Sequence, residues 1–316
     1  MSWTRNGAYR RHKPALVLIV GQETEIDTGN EMYGLTFTAN GEYLLSVEVD
    51  VVRVWRVKDG ERVAILPVRR VGYVTVSRDG RWIAAASWDG AVSVWKATTY
   101  EQVFVGKAGG LAIFEVDFSP ASSRLVSAGG NDDAATIWDI AACQKVRTLE
   151  HDEWVGAAQY SPQGERVATA TETSVRVWDS NDGRLLVNIH VPKVDLWRGL
   201  LWFNNHLFVK TEGSRIKEIN ASTSSTVSEW SVPPTNHPSY IILPQHGQFM
   251  AYASRETITF WSTSTPHAQL GLISHSRDKC SIAFCPDGQL LVIVGIRKII
   301  IRNLSSISVR YVSCLP

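Results

Sequence analysis

The segment DGRWIAAASWDGAVSVWK, residues 79–96, contains two short apolar runs, each preceded by an Asp-Gly pair. Asp-Gly pairs favour tight turns, and the alternation in Ala91-Val92-Ser93-Val94 is typical of a β-strand with one buried face. The segment therefore predicts a β-hairpin that ends at Trp95. A single hairpin is at best marginally stable in water, so a stable fold requires further copies of it.

The hairpin recurs along the chain with a period of about 40 residues. The position of Trp95 is filled in the other units by Trp55, Trp138, Trp178, Ile219, Trp261 and Arg302. A turn that contains glycine precedes most of these positions by a constant interval, as at Asp79-Gly80 and Asp287-Gly288. The tryptophan position and the glycine turn thus repeat together over seven units, and four strands are predicted in each unit. This pattern is typical of the blades of a β-propeller.

We therefore predict an all-β chain that forms one seven-bladed β-propeller of four-stranded antiparallel blades. Radial stacking buries both faces of each small sheet and leaves only short edges exposed. The ring accounts for residues 14–316, so we expect one domain. Residues 1–13 contain four basic residues and no acidic one, which predicts a flexible basic tail ahead of the ring.

Several units carry short motifs that resemble those of the WD-repeat (Trp-Asp repeat) family. The motifs are Phe118-Ser119-Pro120, Ile137-Trp138-Asp139, Tyr160-Ser161-Pro162-Gln163-Gly164 and Val177-Trp178-Asp179. The resemblance implies a propeller that serves as a protein-interaction platform. It also implies a structural role for His151, because the family's Gly-His pair survives only as Glu150-His151. The family's buried His–Ser/Thr–Asp–Trp hydrogen-bond set is expected to be partial in every blade.

Closure of the ring has two candidate strands. In the WD-repeat family the last blade usually takes one strand from the N-terminus, and the apolar run over residues 16–20 is suited to that role. Residues 308–315 lie where the seventh unit's own fourth strand would fall. We expect the N-terminal strand to close the ring.

Composition and motif content narrow the class of function. The chain has a formal net charge of +1, so nothing in its balance predicts a nucleic acid partner. It lacks an apolar run of membrane-spanning length, and its four cysteines do not have zinc-site spacing. We found no motif of a hydrolase, metalloprotease, nucleotide-binding or dinucleotide-binding enzyme. We therefore expect no catalytic site, no cofactor and no metal, in a cytoplasmic or alternatively nuclear protein.

Binding residues are expected on one rim of the propeller. The loops that join a fourth strand to the next first strand, and a second strand to a third, gather there on a rigid scaffold. The candidate partner-binding residues are Trp88, Trp154, Trp197, Arg198, Tyr240 and Arg277. Aromatic residues and arginine dominate interface hot spots, so a protein or peptide partner is expected. The alternative is that the tryptophans cap the packing between blades.

Two other functions are left open by the sequence. The pair Arg69-Arg70 resembles the Arg-Arg pair with which certain propellers bind phosphoinositide headgroups, although no aromatic residue flanks it. A small-ligand-binding or enzymatic propeller would need polar and acidic groups that converge on the channel. The first strands carry mostly apolar and small residues, so we expect an apolar channel.

Overall fold

A computed structural model describes residues 16–19, 23–109, 112–129, 133–196, 198–234, 239–244, 247–254, 257–264, 267–274, 281–295, 297–304 and 308–311. Every regular element in these ranges is a β-strand. No helix in the described part of the chain has the length and apolarity needed to cross a membrane. The predicted tail over residues 1–13 lies outside the described residues and stays a prediction.

The strands fall into seven sheets, and each sheet is one blade. The first strands of blades 1 to 7 are β3 (Gly34–Phe37), β7 (Val71–Val76), β11 (Ile113–Phe118), β15 (Ala157–Tyr160), β19 (Leu200–Phe203), β23 (Tyr240–Ile242) and β27 (Ile282–Phe284). The second strands are β4 (Tyr43–Val47), β8 (Trp82–Ser87), β12 (Arg124–Gly129), β16 (Arg166–Ala170), β20 (His206–Thr211), β24 (Phe249–Ala253) and β28 (Leu290–Gly295).

The third and fourth strands follow in the same order. The third strands are β5 (Val51–Arg56), β9 (Ala91–Lys96), β13 (Ala134–Asp139), β17 (Ser174–Asp179), β21 (Arg215–Asn220), β25 (Thr257–Ser262) and β29 (Lys298–Asn303). The fourth strands are β6 (Arg62–Pro67), β10 (Gln102–Lys107), β14 (Gln144–Glu150), β18 (Leu185–His190), β22 (Thr226–Ser231), β26 (Gln269–Ser274) and, for blade 7, β2 (Glu23–Asp27). Two further strands are β1 (Leu16–Ile19) and β30 (Ser308–Tyr311).

The blades surround a central channel. The first strand of a blade contacts the first strand of its neighbour, as β7 does with β3 and β11, so the first strands line the channel. Successive strands within a blade are antiparallel. The loops between second and third strands therefore share one end of the ring with the loops that lead to the next blade. We call this end the upper face and the opposite end the lower face. The architecture confirms the predicted seven-bladed, all-β propeller.

The apolar core consists of clusters between neighbouring blades rather than one central core. One cluster joins blades 1 and 2 through Leu45, Ile83 and Trp95, all buried. Equivalent clusters join the following pairs in turn. The last cluster joins blade 7 to blade 1 through Val292 and Trp55, so the packing continues around the whole ring. Burial of both faces of every blade follows from this arrangement.

Ring closure uses the N-terminal segment, but not the run that the sequence favoured. Strand β2 pairs antiparallel with β29 and supplies the fourth strand of blade 7. Strand β1 instead adds to the outer edge of blade 6, parallel to β26, and β30 pairs antiparallel with β1. The expected terminus therefore closes the ring with residues 23–27. The apolar run that had been expected to do so extends blade 6 into a six-stranded sheet.

Four of the tryptophans that mark the repeat, Trp55, Trp138, Trp178 and Trp261, donate hydrogen bonds from their indole N–H groups in the core. Trp55 donates to Ser46 Oγ at 2.9 Å, and Trp138 donates to Ser127 Oγ at 2.9 Å. These bonds satisfy a buried donor that would otherwise cost free energy. Trp261 donates to Thr259 Oγ1 on its own strand, at 3.0 Å.

Blade 4 carries the most extended of these networks. Trp178 Nε1 donates to Thr169 Oγ1 at 2.8 Å, and Thr169 Oγ1 lies 2.8 Å from His151 Nε2. His151 Nδ1 lies 2.8 Å from the Leu149 carbonyl oxygen, where the family's set would place a carboxylate. Burial lowers the pKa of His151 to about 4, so the imidazole is neutral. The network is partial, as expected, and His151 has the structural role that the resemblance implied.

Ile26 is expected to anchor the closing strand. Its side chain is buried in the cluster between blades 7 and 1, and it contacts the loop at Gly60. Replacing Ile26 with alanine should lower the free energy of unfolding by about 2 kcal/mol, because the removed atoms leave a cavity at the point of closure. Denaturant unfolding measures the change. The matched variant Thr24→Ala, which alters an exposed side chain of the same strand, should stay within about 0.5 kcal/mol of the wild type.

Candidate functional site

The upper face brings together the described members of the predicted binding set. Trp88 lies in the turn between β8 and β9, and Trp154 lies in the loop between β14 and β15. Arg198 lies in the loop before β19, and Tyr240 begins β23. The other two predicted residues, Trp197 and Arg277, lie outside the described residues.

The Trp88 side chain is half-buried and contacts residues near the start of the first strands of blades 1 and 2. Its indole packs edge-on to the Tyr33 ring, with 5.9 Å between ring centroids. It also covers the backbone of Gly72, where an added Cβ would lie 2.2 Å from Trp88 Nε1. Part of the indole therefore serves the packing of blades 1 and 2, and the side chain as a whole is half-buried.

Trp154 is the more exposed of the two tryptophans. It remains 36% exposed, and its ring packs edge-on against that of Phe114, with 4.8 Å between the ring centroids. A large aromatic side chain held in place by a neighbour loses little entropy when a partner covers it. Trp154 therefore lies on the upper face with part of its ring exposed to solvent.

Arg198 extends across the channel beneath the upper face. Its guanidinium lies 4.8 Å from the ring centroid of Tyr73 and 5.2 Å from that of Tyr240. Nη1 donates to Ser281 Oγ at 3.3 Å. Nη2 lies next to Gly34, where an added Cβ would be 2.9 Å away. A side chain from blade 5 therefore contacts blades 1, 2, 6 and 7.

Strand β11 carries two carboxyl groups, of which Glu115 lines the channel cavity and interacts with this arginine. Glu115 is buried and accepts hydrogen bonds from the Ala158 backbone N–H and from Gln159 Nε2, both at 3.2 Å. Asp117 accepts from the Tyr160 backbone N–H at 2.8 Å. Gln159 in turn accepts from the Trp202 backbone N–H at 3.0 Å. These polar bonds connect blades 3, 4 and 5 along the channel wall.

Burial changes the protonation of both carboxyl groups. Desolvation raises the pKa of Glu115 to about 7, against the partial compensation of its hydrogen bond from Gln159. Desolvation likewise raises the pKa of Asp117 to about 6. The Tyr73 hydroxyl also has a raised pKa, because of its burial and the nearby Glu115 charge. Near neutral pH the arginine therefore faces a Glu115 carboxyl group that is only partly ionised.

The channel lining is mostly apolar, and a smaller group of polar side chains lies within it. Its cavity of about 240 Å³ is lined by all seven first strands or the loops that precede them, including Tyr73, Glu115, Gln159, Arg198 and Tyr240. The sequence contained one indication that polar groups lie in the channel. In Ile113-Phe114-Glu115-Val116-Asp117-Phe118 the two acids share one side of a strand whose other side is apolar.

The chemistry of this arrangement is suited to binding. Aromatic faces, a guanidinium and hydrogen-bonding side chains are the groups that fix a ligand's orientation in a pocket. Among the described residues, no group of three or more His, Cys, Asp or Glu side chains is arranged to hold a metal ion.

Comparisons with known proteins agree with the fold and the repeat. The family model for the WD domain, G-beta repeat, matches residues 62–96 and 143–179. A small ribosomal subunit protein, RACK1y of Oryza sativa subsp. japonica, is 25% identical over 150 residues, which cover 48% of this chain and 44% of that protein. The nuclear distribution protein nudF of Emericella nidulans is 26% identical over 179 residues, 48% of this chain and 40% of that protein.

One further relative and one solved structure are also similar to this chain. WD repeat-containing protein 1 of Gallus gallus is 41% identical over 84 residues, 26% of this chain and 14% of that protein. The aligned regions thus span less than half the length of each of these relatives. A chain in the crystal structure of a mitotic checkpoint complex has the same fold, with a TM-score of 0.75, 15% identity and 96% of both chains covered.

Proposed function

This chain is a WD-repeat β-propeller protein, and we propose that it acts as a non-catalytic scaffold or adaptor that docks a protein or peptide partner on its upper face. Proteins of this family are typically protein-interaction scaffolds, which supports the general role. A fold by itself does not determine a function, so the support for this docking surface comes from the residues that the upper face presents.

The observation that carries the proposal is the position of Trp88, Trp154, Arg198 and Tyr240 on one face of the ring. Aromatic residues and arginine supply most of the binding energy at protein interfaces when they lie near the centre of the contact. The rigid blades hold these side chains in fixed positions. A partner that covered the channel mouth would therefore contact all four at low entropic cost.

A double variant tests the surface. Purified wild-type protein and the Trp88→Ala/Trp154→Ala variant are each used to capture proteins from an extract of the native cells. We expect the specific partners to be retained by the wild type and reduced about tenfold or more by the variant. The matched control is Val105→Ala/Leu185→Ala, which removes exposed apolar side chains from the outer strands β10 and β18.

Circular dichroism and a melting curve first establish that both variants are folded. If the control variant loses the same partners as the tryptophan variant, the outer strands contribute and the upper face is not a distinct docking surface. If the tryptophan variant retains every partner, the two indoles serve only the packing between blades.

Membrane recruitment remains the alternative function. Arg69 and Arg70 are exposed in the upper-face loop between β6 and β7, and the Arg70 backbone N–H donates to Asp50 Oδ1 at 2.9 Å. This carboxylate reduces the local positive charge that an anionic headgroup would meet. Flotation with vesicles that contain anionic lipid separates the two functions, since a protein adaptor should stay in solution.

We also propose an intracellular location, cytoplasmic or nuclear. The described cysteines, Cys143 and Cys285, are free thiols, which is the usual state in a reducing compartment. One relative carries the name of a ribosomal subunit protein and another that of a nuclear distribution protein. Microscopy of the tagged protein tests this part of the proposal.

A further inference from the structure

A cavity on the lower face lies between blades 4 and 5, away from the upper-face residues of the proposed function. Its volume is about 400 Å³, within the range of about 300–1,000 Å³ that is typical of small-molecule sites. Its lining residues come from the hairpin of β15 and β16 and the hairpin of β19 and β20. Both hairpin turns join a first strand to a second, so the ring holds the two walls in fixed positions.

The indole of Trp202, in β19, forms part of the cavity wall. Its Nε1 donates to the Asn204 carbonyl oxygen at 3.0 Å, and its ring packs against the apolar cluster between blades 4 and 5. The ring is half-buried and held in one orientation. The Trp202 backbone N–H donates to Gln159 Oε1 at 3.0 Å, so this part of the strand edge already has a partner.

Three exposed side chains of the lining have unused hydrogen-bonding groups. Within the described part of the chain, the amides of Gln163 and Asn204 and the carboxylate of Glu165 make no hydrogen bond to the protein. Each amide offers two N–H donors and one acceptor oxygen, and the carboxylate offers two acceptor oxygens. The cavity therefore presents both donors and acceptors to a ligand.

The charged groups of the lining balance each other. Glu165 and Arg166 contribute one carboxylate and one guanidinium. Arg166 Nη1 donates to Ser222 Oγ at 3.1 Å, and Ser222 Oγ donates to Asn205 Oδ1 at 3.0 Å, which fixes the guanidinium at the cavity. A lining with no net charge does not select an anion or a cation. It suits a ligand that is neutral and rich in hydrogen-bonding groups.

We propose that this cavity binds a neutral saccharide. Each sugar hydroxyl both donates and accepts, which matches the amides, the carboxylate and the guanidinium of the lining. The C–H groups on one face of a sugar ring carry small positive charges and pack favourably on the negative face of an indole. Trp202 supplies that aromatic surface in a fixed orientation, which keeps the entropic cost of binding low.

The same observations disfavour two other classes of ligand. An extended peptide gains affinity by pairing its main chain with an open strand edge, and the Trp202 N–H at this edge is already bonded. A nucleotide or nucleic acid brings phosphate charges, which are normally neutralised by several basic side chains. The lining contains one guanidinium, and Glu165 offsets its charge.

The test screens the purified full chain on an array of neutral and anionic glycans. Sugars that bind are then titrated in solution by calorimetry, as free mono- and disaccharides. The variants are Gln163→Ala, Asn204→Gly and Glu165→Ala, which remove exposed groups from the turns. Glycine is chosen at position 204 because Asn204 has a φ of 52°, which glycine adopts without strain. Melting curves establish that each variant is folded.

A matched control and a direct probe of the ring complete the design. Gln289→Ala removes an exposed side chain from the corresponding turn of blade 7 and should bind the sugar as the wild type does. The indole N–H resonance of Trp202 is assigned by its loss in Trp202→Phe. It should shift when the sugar is added to the wild type. Nucleosides and a displayed library of random peptides are screened in parallel.

We expect neutral glycans to bind and anionic ones to gain nothing from their charge. Gln163→Ala and Asn204→Gly should each weaken binding about tenfold, because each removes an amide that bonds the sugar. Glu165→Ala should weaken it about ten- to a hundredfold, since hydrogen bonds to a charged group are stronger.

Four results would overturn the inference. No neutral sugar could bind at about 10 mM, a concentration that reveals even millimolar affinity. Binding could survive both Asn204→Gly and Glu165→Ala, which would place the sugar elsewhere. Binding could require an anionic group on the glycan. Finally, a peptide or a nucleoside could bind and be lost with Asn204→Gly while no sugar binds.

Discussion

Replacing Thr169 with valine is expected to lower the free energy of unfolding by about 2–5 kcal/mol, although the two side chains have nearly the same volume. The Thr169 hydroxyl is shared by Trp178 Nε1 and His151 Nε2, each at 2.8 Å. Valine leaves both buried groups without that partner, and each unsatisfied group costs about 1–3 kcal/mol. Denaturant unfolding followed by tryptophan fluorescence measures the loss.

Ser127→Ala is the matched control for this variant. It removes the hydroxyl that accepts from Trp138 Nε1 in blade 3, where no histidine joins the bond. We expect about half the cost of Thr169→Val, because one buried donor rather than two groups loses its partner. Equal costs for the two variants would show that the histidine adds nothing to blade 4. A Thr169→Val protein as stable as the wild type would contradict the network's role altogether.

The second large effect is a pH dependence of stability that arises in the channel. Burial raises the pKa of Glu115 from its ordinary value of 4.5 to about 7. Between these values the folded protein keeps a proton that the unfolded chain has lost, so the free energy of unfolding falls as the pH rises. The shift corresponds to about 3 kcal/mol. This stabilisation is fully present below about pH 4.5 and lost above about pH 7.

The variant Glu115→Gln isolates the contribution of this carboxyl group to the pH dependence of stability, because glutamine does not titrate. The difference in unfolding free energy between variant and wild type should grow in favour of the variant by about 3 kcal/mol from about pH 4 to about pH 8. Chemical denaturation at several pH values measures it. Asp117→Asn should show the same direction over a lower range, since the pKa of Asp117 rises from 3.8 to about 6. A difference that does not change with pH would contradict the account.

The ring itself could be predicted from the sequence because its marks are local. A tryptophan near the end of most third strands and a glycine turn ahead of it are set by the geometry of one hairpin, so each can be recognised in a short window. Trp95 and Trp178 illustrate this, since both are buried between blades as the pattern requires. Even unit five, which has Ile219 in place of the tryptophan, forms four regular strands.

The closing strand was misplaced for a physical reason. Strand β2 has the sequence Glu-Thr-Glu-Ile-Asp, and Ile26 is the only large apolar side chain in it. A strand at the outer edge of a blade needs few apolar residues, because much of its surface faces solvent. The apolar run over residues 16–20 gave a stronger strand signal. Part of this run does form a strand, but the strand pairs with blade 6 rather than closing the ring at blade 7.

The predicted loops could be assigned to one face, whereas the polar layer of the channel could not be assembled from the sequence. Arg198, Tyr73, Glu115, Tyr240 and Ser281 come from five different blades. Nothing local to any of them specifies that they meet, because closure of the ring brings them together. Arg198 was selected as a loop arginine with an exposed role. In the structure it extends into the channel and contacts the two tyrosines there.

The most direct test of a partner on the upper face is site-specific photo-crosslinking in the native cells. A photoreactive phenylalanine analogue is placed at Trp154, on the upper face, and separately at Leu185, which is 42% exposed on the outer strand of blade 4. We predict discrete crosslinked proteins from position 154, reduced when Arg198→Gln is added, and none of them from position 185. The same crosslinked proteins at both positions, or at position 185 alone, would contradict a docking surface around the channel mouth.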